Sequence, residues 1–184
     1  QNSCIFIRGN HDDLAQRWLE GGEMNEKWLE HGGQSSIDAY RTFTPEQIEA
    51  HIQFFKDTLN YYQHDNRLFV HAGFTNLHGP DYEYSDKGFY WDRTLWEMAL
   101  AMDPSIKPGD TFYPKRLAHF DEIFIGHTPV TRIGKTTPVN KANIWNVDTG
   151  AAFKGPVSAI NVITKEIVQS DPVYTLYPNE QGRN

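Results

Sequence analysis

Short apolar runs separated by polar, turn-forming stretches dominate the first two thirds of the chain. Residues 3–7 read as a short buried strand bounded by Gly9, because a continuous apolar run of this length suits the interior of a parallel or mixed sheet. The polar run Gly9–Asp13 leaves its C-terminal end. From Asp13 to Glu20, Leu14, Trp18 and Leu19 recur at helical spacing before Gly21-Gly22. A second short helix is predicted over Asn25–His31, closed by Gly32-Gly33. For the third, Thr44 is the N-cap, Pro45 takes the first helical position and Gln47 completes a capping box. Ile48, Ile52, Phe55 and Leu59 then line one face down to about Tyr62.

After the turn residues His64-Asp65-Asn66, Leu68–His71 reads as another buried strand closed by Gly73, and Thr75–Lys87 as a long surface loop. Tyr90–Met102 is predicted helical with Trp91, Leu95 and Leu100 inward, and Pro104 and Pro108 beyond its end. Ile123–Ile125 forms a third buried strand running straight into Gly126-His127. Strands follow at 144–147, 157–163 and 167–169, and the tail after about residue 172 is expected to be loosely held. Helices alternating with strands, then strands alone, argue for an α/β or α+β fold in one cooperative unit over residues 1–184, with no internal repeat.

Composition narrows the function classes. With 39% apolar residues in 184, the chain can build one sizeable core. A net charge of −7 without a basic stripe argues against a nucleic-acid coat. The single cysteine, Cys4, lies in the run Cys4–Ile7 and is expected to be a buried core residue; no disulfide can form within the chain. Nothing is long and apolar enough to span a membrane and the polar start is not a signal peptide, so a cytoplasmic enzyme is expected. The first residue is Gln1 and the strand-like run follows at once, which reads as a chain cut inside a domain.

Three strands end in loops that present a histidine: His11 after Ile7, His71 after Val70, His127 after Ile125. One histidine beside a strand is more often a hydrogen-bonded structural residue than a ligand, but functional groups gather where strand C-termini converge, and three in one context weigh differently. Arg93 on its own reads equally as a helix-surface arginine. Gly73 and Gly126 permit close backbone approach or simply make turns, and Asp148 suits an Asx turn. Tyr61, Tyr62, Trp91 and Trp96 read as core and rim rather than a base-stacking surface. His31, His51, His64, His78 and His119 match no motif and are read as surface residues, and Arg132, which matches none either, is expected to lie outside the site.

The stretches Gly9-Asn10-His11-Asp12, His71-Ala72-Gly73 and Gly126-His127-Thr128 resemble, in order and spacing, the third, fourth and fifth motifs of the metallophosphoesterases, in particular their bacterial serine/threonine phosphoprotein phosphatase branch. The likeness extends through Trp28-Leu29-x-x-Gly32-Gly33, Ser36-x-x-x-Tyr40, Tyr90-Trp91-x-Arg93 and Asn146–Ala151, and so covers most of residues 3–163. It implies a mixed two-sheet α/β sandwich, incomplete at the N-terminus, and phosphoester hydrolysis by a hydroxide bridging two divalent ions. By the same resemblance Asn10, His71 and His127 are expected to ligate one ion, His11 to be the general acid and Arg93 to grip the substrate phosphate. The oxygen and nitrogen donors suit Mn²⁺, or Fe or Zn²⁺, better than Ca²⁺.

The implied substrates are phosphoproteins or small phosphoesters, with no nucleic-acid or membrane partner. Symmetrical diadenosine tetraphosphate hydrolysis shares the same motifs, and a non-catalytic module recognising phosphorylated partners is the alternative of another class. The family's first two motifs, Asp-x-His and Gly-Asp-x-x-Asp-Arg, do not occur in the chain, so the polypeptide alone is expected to be inactive or nearly so.

Overall fold

The computed structural model describes residues 4–177. Its main sheet has five strands: β1 (Tyr61–His64), β2 (Arg67–Val70), β3 (Glu122–Ile125), β4 (Val139–Lys141) and β5 (Ile144–Asn146), in the spatial order β1-β2-β3-β5-β4. The β2–β3 and β3–β5 pairs are parallel, and the outer pairs are antiparallel hairpins. β6 (Pro156–Ile160) and β7 (Ile167–Pro172) form a second, antiparallel sheet. This is the expected mixed two-sheet α/β class. Lys165, in the turn between β6 and β7, ties the sheets together by meeting Glu122 at 2.6 Å, and Glu122 also accepts from Arg67 Nε at 2.8 Å.

The core forms where the apolar faces of β2, β3 and β5 meet the helices. α5 (Lys87–Trp91) and α6 (Thr94–Ala101) contribute Phe89, Tyr90, Leu95 and Trp96 against Leu68, Val70, Ile123, Ile125 and Ile144. These strands read as nearly continuous apolar runs because helices cover the sheet. α1 (Asn10–Leu19), α2 (Glu26–Trp28), α3 (Gln34–Tyr40) and α4 (Pro45–Asp57) form a helical subassembly joined by aromatic contacts, with Trp18 between Trp28 and Tyr40, each at 5.9 Å.

Several elements differ from the sequence expectation. Cys4–Phe6 forms no ladder; the predicted strand 3–7 is reduced to a single parallel bridge between Ile7 and Leu59, and residue 3 lies outside the described residues. Cys4, Ile5 and Phe6 are exposed rather than buried, because Leu59 pairs this segment along one edge only. α4 begins at the predicted capping box, with Thr44 Oγ1 accepting from Gln47 N and Gln47 Oε1 from Thr44 N. It ends at Asp57, and Tyr61–His64 turns back as a strand through Asp65 and Asn66, both at positive φ as a tight hairpin turn requires. Gly32-Gly33 does not close a helix: α2 runs into a wide turn over Leu29–Gly33, Gly32 takes φ 98°, and α3 follows directly. The 75–87 loop carries one short 3₁₀ turn at Pro80–Tyr82. Strand β7 continues to Pro172, a 3₁₀ turn follows at Val173–Leu176, and the rest of the predicted tail lies outside the described residues after Tyr177.

The helix expected over Tyr90–Met102 is two helices, and Asp92 is the reason. Its buried carboxylate accepts from Thr94 N at 2.9 Å and Leu95 N at 3.1 Å, capping α6 and breaking the chain between Trp91 and Thr94. The break turns Trp91 outward, where it is 44% exposed, and places Arg93 on the exposed bend. A Cβ on Gly73 would lie 2.6 Å from Asp92 Oδ2, so that glycine serves the capping carboxylate. Asp92→Ala removes the cap and a partner of Arg116, 3.7 Å away. It is expected to cost about 1–2 kcal/mol in urea unfolding, and an unchanged midpoint would show that α6 starts without it.

Candidate metal centre

Parallel pairing of β2 and β3 carries their C-terminal ends to the same rim, so the residues after them, His71 and Gly126-His127, emerge side by side. Gly126 N–H donates to His71 O at 2.8 Å, which locks the two loops together. The segment after Ile7 reaches the same rim although it contributes no full strand. Gly9 there sits under the His71 ring, where a Cβ would lie 2.9 Å from Cε1. Gly9 also starts α1, and its N–H donates to Asp12 Oδ2 at 2.8 Å. Asn10 is therefore the first helical residue, buried and aimed at His71.

His71 Nε2 lies 3.0 Å from Asn10 Oδ1 and 3.2 Å from His127 Nδ1, and the two imidazole rings are 5.1 Å apart at their centres. Two donors held about 2.1 Å from one ion at a right angle are about 3.0 Å apart. An amide oxygen and two imidazole nitrogens at these separations have the spacing of ligands around one divalent ion, and they occupy one side of it. Among the described residues no group of three or more His, Cys, Asp or Glu side chains is placed to hold a metal ion, and this set itself has two histidines and an amide. The donors present fit one ion; a second has no comparable set.

Electrostatics favour the donor forms. Burial, with the nearby His127 and His11, pushes the His71 pKa from 6.5 down to about 3. Burial, with Arg93, His11 and Arg132, pushes that of His127 down to about 4, against a small opposing effect of Asp92. Both rings are neutral at pH 7 and have lone pairs to offer. His127 holds its place at a backbone cost. It has φ 66°, with Thr128 N–H donating to Gly126 O at 2.7 Å, which is the strained hand of the γ-turn. Asn146 supports that turn from beneath: fully buried, it donates to Thr128 O at 2.9 Å and accepts from Asp148 N at 3.0 Å. His127 Nε2 is buried without a hydrogen bond, its ring packed edge-on to Trp91 at 5.8 Å.

A cleft of about 420 Å³ opens over these atoms. Asn10, His71, His127, the half-buried His11 and the exposed Arg93 all line it, so the structure brings together all five residues singled out from the sequence. Asp148 lines it too and makes the expected Asx turn, accepting from Gly150 N at 2.9 Å. Two assignments are corrected. Arg132, set outside any site, lines the cleft from the turn at Val130–Ile133, and His31 stands at its edge. His51 is half-buried and bonded to Tyr40 Oη at 2.9 Å. For Arg132 the only sequence signal was its position five residues after His127 in a loop already suspected of function.

No family model and no curated protein matches the chain. A solved structure described as a "putative diadenosine tetraphosphatase" superposes with a TM-score of 0.53 at 13% identity, over 91% of this chain and 68% of that one. At this identity the likeness establishes the fold alone, the two-sheet mixed α/β architecture expected from the sequence. No helix among the described residues is long and apolar enough to cross a membrane.

Two outcomes follow for the metal-free protein. Because His71 and His127 bind protons less readily folded than unfolded, their contribution to stability is complete above about pH 6.5 and is lost as pH falls toward 4 and 3. Urea midpoints are expected to fall from pH 7 to pH 5, and less steeply in His71→Asn; equal slopes would contradict the assignment. Gly9→Ala pushes its new methyl against the His71 ring and is expected to weaken Mn²⁺ binding at least tenfold without altering a ligand, as read by calorimetry.

Proposed function

We propose that this chain carries a metal-dependent phosphoesterase site in which Asn10, His71 and His127 hold a divalent ion. The position of His71 Nε2, 3.0 Å from Asn10 Oδ1 and 3.2 Å from His127 Nδ1, supports this reading more than any other observation. Bound there, such an ion neutralises phosphoryl charge and acidifies water. The chain's own residues supply the rest. Arg93, free to extend from the exposed bend before α6, presents a planar guanidinium to two phosphoryl oxygens. His11, one residue beyond Asn10 on α1, lines the same cleft, which supports it as the general acid for the leaving oxygen.

Mn²⁺ suits the mixed donors, with Fe and Zn²⁺ as alternatives, and a full two-ion centre requires carboxylate ligands beyond this set. The expected substrates are phosphoserine, phosphothreonine or small phosphoesters, in a cytoplasmic setting. A second reading, hydrolysis of a dinucleoside tetraphosphate, draws support from the structural neighbour described as a diadenosine tetraphosphatase. The two separate by assay: phosphate released from a phosphopeptide, or two diphosphates from the dinucleotide. With the described donors alone, turnover is expected to be slow or absent, so binding is the first readout.

Calorimetry is expected to show one equivalent of Mn²⁺ per chain, lost in His71→Ala and in His127→Ala and retained in His11→Asn. In the catalytically competent protein, His11→Asn is expected to slow turnover roughly 10²–10⁴-fold; loss of the ion in that variant would reassign His11 as a ligand. Arg93→Ala is expected to weaken phosphate binding roughly ten- to a hundredfold, with Arg93→Lys recovering part. Parental phosphate affinity in Arg93→Ala would remove Arg93 from the site.

A further inference from the structure

Beyond the metal centre lies a second cavity, of about 750 Å³, between the loop after β3 and the start of the second sheet. It is not separate from the cleft. Pro129, Arg132 and Phe153 line both, so Arg132 stands in the common wall, and Lys154 follows on the second cavity's side. Most of the remaining polar groups in that wall are already engaged. Thr149 Oγ1 meets Pro156 O at 2.8 Å and Ser158 Oγ at 2.6 Å, and Gln169 Nε2 donates to Thr136 O at 2.8 Å and Ser158 Oγ at 2.9 Å. The side chains of Arg132 and Lys154 are different: both residues are exposed, and neither side chain makes a hydrogen bond or ion pair with another described residue.

In a protein of net charge −7, two cations at the junction of two cavities, without an ion-pair partner among the described residues, are a local inversion of charge. A phosphomonoester held by Arg93 and the metal donors needs no third and fourth cationic group. We propose that Arg132 and Lys154 form a second anion subsite, so that the ligand carries at least two linked phosphoryl groups, the second reaching across the shared wall toward the larger cavity. The cavity then receives whatever the phosphate chain bears, against the apolar faces of Pro129, Phe153 and Pro156. Arg132 is a specificity residue in this arrangement. The inference rests on the phosphoesterase reading above and narrows its substrates to those with a phosphate chain.

The test compares pyrophosphate with orthophosphate on the metal-free chain, which avoids chelation, by calorimetry at fixed ionic strength. Pyrophosphate is expected to bind roughly ten- to a hundredfold more tightly, the effect of one or two added charged hydrogen bonds. Arg132→Ala combined with Lys154→Ala is expected to bring pyrophosphate down to the affinity of orthophosphate, weakening pyrophosphate roughly tenfold more than orthophosphate. Arg93→Ala should instead weaken both anions. Orthophosphate bound through Arg93 with pyrophosphate no tighter would overturn this inference and leave the phosphoesterase reading standing. So would an Arg132/Lys154 variant that weakens both anions equally, or a phosphoserine peptide that matches pyrophosphate and depends on Lys154. Failure of both anions to bind would overturn both readings.

Discussion

Two imidazoles whose ring nitrogens come within 3.2 Å, largely removed from water, cannot both be protonated, and the rest of this molecule is arranged around that constraint. Held neutral, the pair and the Asn10 amide oxygen form a cluster of lone pairs with one proton to share between Nε2 and its two neighbours. A divalent cation satisfies such a cluster better than a shared proton does, because it accepts all three lone pairs at once. Parallel pairing of β2 with β3 brings the histidines together. The bare Cα of Gly9 leaves space for one ring, and the γ-turn at His127 aims the other.

Supporting interactions extend outward from the pair. Asn146, buried at the end of β5, holds the Thr128 carbonyl and so fixes the strained turn from a strand that contributes nothing to the cleft itself. Asp92 caps α6 and thereby creates the bend that exposes Arg93. Both are buried polar residues whose hydrogen bonds are satisfied within the protein, and each positions a neighbour. Around the neutral cluster the cleft presents Lys27, Arg93 and Arg132 with Asp148 as its acidic residue, opposite in sign to the chain as a whole. Such a field raises the local concentration of an anionic ligand before any contact forms.

The central strands were legible because burial on both faces leaves an apolar run that ends abruptly at glycine, as at Leu68–Val70 and Ile123–Ile125. The three histidines were legible because strand ends mark where loops converge, whereas Asn10 and Arg93 were legible only through the motif resemblance. What escaped depended on pairing partners rather than local pattern. Tyr61–His64 continues the apolar spacing of α4 and becomes a strand only by pairing with β2. Cys4–Phe6 has the composition of a buried strand but meets a neighbour at one edge alone. The break at Asp92 was hidden because a capping aspartate within an apolar, helix-favouring stretch looks like an ordinary polar position until its carboxylate is seen to turn onto the following amides. Arg132 joined the cleft through a short 3₁₀ turn whose direction no periodicity records.

The central claim is that three side chains from three separate segments share one ion. Anomalous diffraction at the manganese edge, from crystals of the chain grown with Mn²⁺, addresses it directly. The account predicts a single strong peak about 2.0–2.3 Å from His71 Nε2, His127 Nδ1 and Asn10 Oδ1 together. A peak elsewhere, or none at this position with the ion at saturating concentration, would contradict it.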